Sequence, residues 1–137
     1  MVRQLEIMVA NGWAAPWATD LVDRLSSQGV GFHWPNNADE ALGLAMSGNV
    51  HVALVDGDEA TLDGGLTLVR RIRRAGISKP CLLVCSEPDQ RVLRDALELN
   101  VYSVLEATEG CAKIADMVLR VGRQVYNFNY PPNDFVN

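Results

Sequence analysis

The chain has 137 residues, of which 48% are hydrophobic and 21% charged, and its formal net charge at pH 7 is −5. This length suits one domain that buries most of its surface without needing a metal or disulfides. The acidic balance disfavours binding to nucleic acid or to an anionic membrane surface, because both require a positive field. The composition also excludes a disordered or fibrous chain.

The cysteines and the apolar runs indicate a compartment. Cys81, Cys85 and Cys111 are an odd set, which favours free thiols in a reducing environment. Residues 1–15 contain too short an apolar run for a secretion signal, and no apolar stretch reaches the roughly 18 residues of a membrane span. We therefore expect a cytoplasmic protein that does not enter a membrane.

Short apolar runs alternate with helical patterns along the chain. Several runs are continuously apolar, which is typical of strands covered on both faces. The predicted strands are residues 5–10, 30–34, 50–55, 81–85 and 101–105. The predicted helices begin near Pro16, at Asn37 with a capping-box Glu40, near Leu66, at Pro88-Asp89 and near Ile114, and the third ends near Gly76.

Five strand–helix units predict an α/β fold with a doubly wound parallel sheet and helices on both faces. The flavodoxin-like strand order 2-1-3-4-5 is the expected topology, and it places a site at the carboxyl ends of strands 1 and 3. We expect residues 1–125 to form this domain. Residues 126–137 are rich in aromatic residues and contain Pro131-Pro132, which predicts a tail or linker.

The third predicted strand ends in Val55-Asp56-Gly57-Asp58-Glu59. Asp56 therefore lies at the predicted switch point, where a carboxylate can act as a nucleophile, a metal ligand or a helix cap. The pattern equally fits an acidic, solvated loop that caps the third helix. Both interpretations stay open on these residues alone.

The chain resembles the receiver domains of bacterial two-component response regulators over residues 4–125. The resemblance rests on VALVD ending at Asp56, on Asp63-Gly64 seven residues later, on the helix LVRRIRR and on CLLVCS ending at Ser86. It implies that Asp56 stands at the phosphoacceptor position, phosphorylated by a histidine kinase. It also implies that the Ser86 hydroxyl binds the phosphoryl oxygens.

Three features of that family are missing. An acidic pair that binds Mg²⁺ should follow strand 1, but residues 9–13 read VANGW. Ala107 occupies the position of a phosphoryl-binding Lys after strand 5, and Val104 occupies the position of a switch aromatic. We therefore expect no resident cofactor and weak Mg²⁺ binding, with Asp58 and Glu87 as candidate substitute ligands.

These losses predict a degenerate receiver, or pseudo-receiver. Phosphoryl transfer needs cations to stabilise charge on the equatorial oxygens, so phosphorylation should be slow or absent. The expected function is a phosphorylation-independent protein-interaction module that uses the face formed by the fourth helix, fifth strand and fifth helix. Its partner would be another protein or a second copy of the chain. The alternative is a working Asp56 phosphoacceptor, with a histidine kinase as partner and a rebuilt metal site.

The aromatic and histidine residues suggest further hypotheses. Trp13, Trp17 and Trp34 should lie near Asp56, and Trp13 could roof the place of the absent metal; simple packing, with Trp17 on the inner face of the first helix, is the other interpretation. His33 and His51 are expected to be structural, without a zinc site.

Two other functions are disfavoured. A haloacid-dehalogenase-like phosphatase requires a Thr two residues after its second Asp, and this chain has Ala60 at that position. A flavin binder would need a hydroxyl-rich loop after strand 1, which residues 11–16 do not supply.

Overall fold

The computed structural model describes residues 4–10, 16–58 and 65–130. Strands and helices alternate along these residues, as the sequence predicts. The strands are β1 Glu6–Ala10, β2 Gly31–His33, β3 Val52–Asp56, β4 Cys81–Cys85 and β5 Ser103–Glu106. The helices are α1 Ala18–Ser26, α2 Ala38–Met46, α3 Gly65–Arg74, α4 Gln90–Glu98 and α5 Cys111–Tyr126, and a short 3-10 turn spans Ala107–Glu109.

The five strands form one parallel sheet in the order β2-β1-β3-β4-β5. The predicted fold class and strand order are confirmed. Strand bounds differ from the prediction by one or two residues, and β4 agrees at both ends. Val50 was predicted as the start of the third strand, but the ladder with β1 begins at Val52, which pairs with Ile7.

Each central strand contributes to two separate cores, one on each face of the sheet. On β3, Leu54 packs into the core beneath α1 and α5, whereas Val55 packs into the core beneath α2 and α3. Successive side chains of a strand point to opposite faces, so a strand covered on both sides is apolar throughout. Leu54, Val55 and Leu82 are fully buried. This explains the unbroken apolar runs.

Side-chain caps begin two of the helices where the sequence predicts them. Asn37 Oδ1 accepts a hydrogen bond of 2.8 Å from the Glu40 amide at the start of α2. Asp89 Oδ1 accepts one of 2.9 Å from the Val92 amide at the start of α4. Each cap satisfies an amide that has no partner within its own helix. The first helix begins at Ala18, two residues after Pro16.

The residues after α5 pack against the domain. α5 ends at Tyr126, and Asn127 adopts a left-handed conformation with φ of 59°. The chain then places Phe128 and Tyr130 against the core beneath α1 and α5. α5 includes Tyr126, the first residue of the predicted tail, and residues 126–130 cover the edge of the sheet where the strands begin. Residues 131–137 of the predicted tail lie outside the described residues.

Arg73 links the segments that follow α3 and α4 through hydrogen bonds to backbone carbonyl oxygens. Its guanidinium donates hydrogen bonds to the carbonyl oxygens of Ile77 and Lys79 at 2.9 and 2.8 Å. It also donates to the carbonyl oxygens of Leu99 and Asn100 at 2.8 and 3.0 Å, just after α4.

Within the described ranges, no helix is long and apolar enough to cross a membrane.

Candidate functional site

The predicted site lies where β3 and β4 end side by side. Asp56 is the last residue of β3 and pairs in register with Val84 of β4. The Gly57 amide donates a 2.7 Å hydrogen bond to the Val84 carbonyl oxygen, which extends the ladder by one residue. Ser86 follows two residues after Val84. The topology therefore brings Asp56 and Ser86 to one edge of the sheet, at the carboxyl ends of β3 and β4.

Asp58 binds Ser86 directly. Its Oδ2 accepts a 2.6 Å hydrogen bond from the Ser86 hydroxyl and a 2.9 Å bond from the Ser86 amide. The same amide lies 3.1 Å from Asp58 Oδ1. Hydrogen bonds to a carboxylate are short and strong compared with neutral ones. Asp58, predicted as a candidate metal ligand, thus occupies both hydrogen-bond donors of Ser86.

Asp56 and Asp58 are linked through the backbone. The Asp58 amide donates a 3.0 Å hydrogen bond to Asp56 Oδ1. This is the local turn that an Asp side chain makes with the amide two residues on. It holds the Asp58 backbone against the Asp56 carboxylate. Asp56 is half-buried and Asp58 is exposed, and both charges lie close enough to Cys85 to raise the pKa of its thiol.

A buried thiol lies beneath these carboxylates. Cys85 is only 3% exposed at the end of β4. Burial, together with the negative charges of Asp58, Asp56 and Asp89, raises the pKa of the Cys85 thiol to about 12. Cys81 is also buried, and both thiols are free. Cys85 therefore stays protonated at neutral pH and contributes no cation or nucleophile to the site.

The other residues predicted at this edge are more scattered. Glu87 is exposed next to Ser86, and Ala107 opens the 3-10 turn after β5 and packs against the core beneath α1. Val104 pairs with Leu83 and packs against the opposite core. None of these side chains offers a positive charge. Lys113 forms an ion pair with Glu109 on the surface.

The tryptophans divide between packing and exposure. Trp13 falls outside the described residues, so the hypothesis that it roofs the site stays a prediction. Trp17 is 6% exposed and lies in the core, and its carbonyl oxygen accepts a hydrogen bond from the Cys111 thiol. Trp34 is 38% exposed and stacks on Phe32 with ring centroids 6.1 Å apart.

The histidines have structural partners, as expected. His33 Nε2 lies 2.8 Å from Glu6 Oε1. His51 Nδ1 accepts a 2.9 Å hydrogen bond from the Glu6 amide. Among residues 4–10, 16–58 and 65–130, no three His, Cys, Asp or Glu side chains cluster in a way that could hold a metal ion. The weak Mg²⁺ binding predicted from sequence stays a prediction.

A surface cleft of about 700 Å³ lies at the opposite end of the sheet, where β4 and β5 begin. Its lining includes Ile77, Pro80, Leu99 and Tyr102. Because Asp56 and Ser86 are at the carboxyl ends of the strands, this cleft is separate from the predicted site. The sequence patterns did not indicate it.

Comparisons with known proteins agree with this architecture. No protein-family model matches the chain, and no curated protein matches it significantly. Solved structures do match the chain. A receiver domain of a Francisella response regulator has a TM-score of 0.75 and 16% identity, over 89% of this chain and 99% of that one. The fold is that of a response-regulator receiver domain.

Two further receiver-fold structures show the same likeness. A response regulator from Thermotoga maritima has a TM-score of 0.71 and 16% identity, over 87% of this chain and 98% of that one. The signal receiver domain of the putative response regulator NarL from Mycobacterium tuberculosis has a TM-score of 0.73 and 18% identity, over 90% of this chain and 99% of that one. At these identities the likeness carries the receiver fold, and function must be argued from the site.

Proposed function

We propose that the chain is a receiver-like signal-transduction domain that binds a partner protein without being phosphorylated. One observation carries this proposal: both donors of Ser86 already bind the Asp58 carboxylate. A phosphoryl group on Asp56 would have to displace Asp58 to reach the Ser86 hydroxyl. The proposed role needs no catalytic turnover.

Electrostatics support the same conclusion. Two unit charges about 5 Å apart interact by roughly 3 kcal/mol at an effective dielectric constant near 20. A phosphoryl dianion on Asp56 would meet repulsion of this order from the carboxylate of Asp58, whose backbone amide bonds to the Asp56 side chain. Cations normally offset such charge in phosphoryl transfer. Ala107 stands where the resemblance places a Lys.

The proposed docking surface consists of exposed apolar side chains on α4, on α5 and just before β5. Leu97 is 77% exposed and Leu93, one turn earlier on α4, is 46% exposed. Tyr102, just before β5, and Val125 of α5 are also exposed. Side chains four residues apart on a helix lie on the same side, so Leu93 and Leu97 form one apolar stripe. Exposed apolar stripes mark interaction sites.

Charge on α4 indicates the chemistry of the partner. Arg91 and Arg94 are 82% and 68% exposed on their side chains, and each lies only at the distance limit of an ion pair with Asp95. In a two-fold dimer the residues near the axis meet their own copies, so a dimer centred on Arg91 and Arg94 would bring like charges together. We therefore propose a different protein as partner, with apolar side chains bordered by carboxylates.

Phosphorylation is tested by incubating the domain with acetyl phosphate and Mg²⁺ and following its intact mass. We expect no gain of a phosphoryl group, and Asp56→Asn should behave like the wild type. A gain that Asp56→Asn abolishes would contradict the proposal. It would instead support the working phosphoacceptor with Asp58 as a metal ligand and a histidine kinase as partner.

The docking surface is tested by variants with a matched control. Proteins retained by the immobilised domain are identified by mass spectrometry for the wild type, Leu97→Glu and Arg94→Glu. Met46→Glu is the control, because Met46 is a similarly exposed apolar residue on α2. We expect a partner that both α4 variants lose and the control keeps. Sedimentation showing a dimer that Leu97→Glu dissociates would make a second copy the occupant and contradict our choice.

A further inference from the structure

The bond between Asp58 and Ser86 joins two connections of the fold. Asp58 follows β3, and Ser86 follows β4 at the start of the connection to α4. Only Glu87 and Pro88 separate Ser86 from Asp89, which caps α4. Ser86 therefore lies three residues before the cap of α4.

α4 itself is lightly packed. Within Gln90–Glu98, all of which the structure describes, Ala96 is the buried residue. Val92 is half-buried against the core beneath α2 and α3, as is Leu99 after the helix. The end of α4 is held by Arg73, which donates to the carbonyl oxygens of Leu99 and Asn100. Among the described residues, the start of the helix is held by the Asp89 cap and, through the connection from β4, by the bond between Ser86 and Asp58.

We propose that Asp58 is a positioning residue: by holding Ser86, it fixes the first turn of α4 and keeps Leu93 and Leu97 presented to a partner. This inference rests on the proposed function and adds the residue that maintains the docking surface. The surface is then assembled in the unmodified chain. Its orientation depends on a carboxylate built into the sequence.

The chemistry of the bond explains why Asp suits this position. An ionised carboxylate accepts hydrogen bonds on both oxygens and has no donor that would repel the Ser86 amide or hydroxyl. Asn keeps one acceptor oxygen but places an NH₂ group beside those donors. Ala removes the acceptors altogether. The three residues therefore form a graded series at nearly constant backbone geometry.

The experiment is native-state hydrogen exchange on the unmodified domain, without any phosphodonor. The reporters are the amides of Val92 and Leu93, which bond to the Asp89 side chain and carbonyl oxygen at the start of α4. We expect Asp58→Ala to speed their exchange by roughly tenfold or more, because opening of the first turn becomes easier. Asp58→Asn should lie between Asp58→Ala and the wild type.

A conservative variant and a double variant distinguish a positioning role of Asp58 from a general effect on the stability of the domain. Ser86→Thr keeps the hydroxyl and should keep the slow exchange of α4, whereas Ser86→Ala should speed it. Adding Ser86→Ala to Asp58→Ala should cause little further change, because both act through the same bond. Asp39→Ala is the matched control: it removes an exposed carboxylate bonded to Arg71 at 2.8 Å, away from α4.

Two results would overturn the inference. In the first, Asp58→Ala leaves exchange of Val92 and Leu93 at the wild-type rate, so that Ser86 does not position α4. In the second, exchange rises equally in α4 and in the central strands together with a lower urea midpoint, which marks general destabilisation. Phosphorylation by acetyl phosphate would overturn the proposed function by a separate measurement, so the two failures are distinguishable.

Discussion

A Cβ atom added at Gly57 would lie 2.4 Å from Cys85 Sγ. Gly57 continues the β3 ladder past Asp56 and passes directly against the end of β4. Real Cβ contacts are not this short, so the close approach depends on the missing side chain. The backbone between Asp56 and Asp58 is therefore placed by a glycine.

Gly57→Ala should lower the free energy of unfolding by about 1–3 kcal/mol, because the new methyl group overpacks against a buried thiol. Urea unfolding measures the change. Cys85→Ala removes the clashing sulfur, so the double variant should recover part of the loss. Gly43→Ala is the control: its Cβ would meet nothing within 4 Å in α2, and the change should stabilise by about 0.5–1 kcal/mol. Equal losses at Gly57 and Gly43 would contradict the packing argument.

Cys85 should make the stability of the domain fall at high pH. Burial and the nearby carboxylates raise the pKa of the Cys85 thiol from 9.0 to about 12. Below pH 9 the thiol is protonated in both the folded and unfolded chains. Between pH 9 and about 12 it ionises only in the unfolded chain, so the stability it contributes is lost as the pH rises.

The measurement is the unfolding free energy of the wild type and Cys85→Ala at pH 7 and pH 10.5. On going from pH 7 to pH 10.5, the wild type should lose about 1–2 kcal/mol more unfolding free energy than Cys85→Ala does. Using the difference removes the other titrating groups, which both proteins share. A pH-independent difference would show that Cys85 ionises as easily in the folded chain.

Arg73→Lys should be strongly destabilising although it keeps the charge. The Arg73 guanidinium bonds four backbone carbonyl oxygens, and a Lys ammonium cannot match that planar array. We expect a loss of about 2–4 kcal/mol in urea unfolding. Arg74→Lys, at the exposed neighbouring position, should change stability by less than about 0.5 kcal/mol. Similar small effects at both positions would show that the carbonyl bonds contribute little.

Tyr126→Phe should destabilise the edge of the sheet covered by residues 126–130. The Tyr126 hydroxyl donates a 2.6 Å hydrogen bond to the His51 carbonyl oxygen, and the rings meet edge to face. Removing the hydroxyl should lower the unfolding free energy by about 1–2 kcal/mol. Tyr102→Phe is the matched control, since its hydroxyl bonds to exposed Gln124. A larger loss at Tyr102 would contradict this assignment.

Much of the fold follows from local patterns. The continuous apolar runs predicted strands covered on both faces, and β4 is found over the predicted residues Cys81–Cys85. Asn37 and Asp89 cap α2 and α4, which begin where the sequence predicted a helix start. These features were predictable because strand alternation and helix capping depend on residues only a few positions apart.

The candidate site was predicted in location but not in its bonds. The carboxyl ends of adjacent strands meet, so the strand order alone brings Asp56 near Ser86. The sequence suggested Asp58 as a metal ligand, whereas the structure places its carboxylate on Ser86. Side-chain direction in a loop depends on backbone turns that no periodic pattern encodes.

The sequence by itself determined the alternating elements, the two-sided core and the edge of the sheet that carries Asp56, because short-range periodicity and charge set these. Only the tertiary structure decided which distant groups meet. Asp58 binds a residue 28 positions away, and Tyr126 reaches His51 across 75 positions. Such pairings arise when packed helices and strands bring together polar groups that are far apart in the sequence, and these groups then bond to each other.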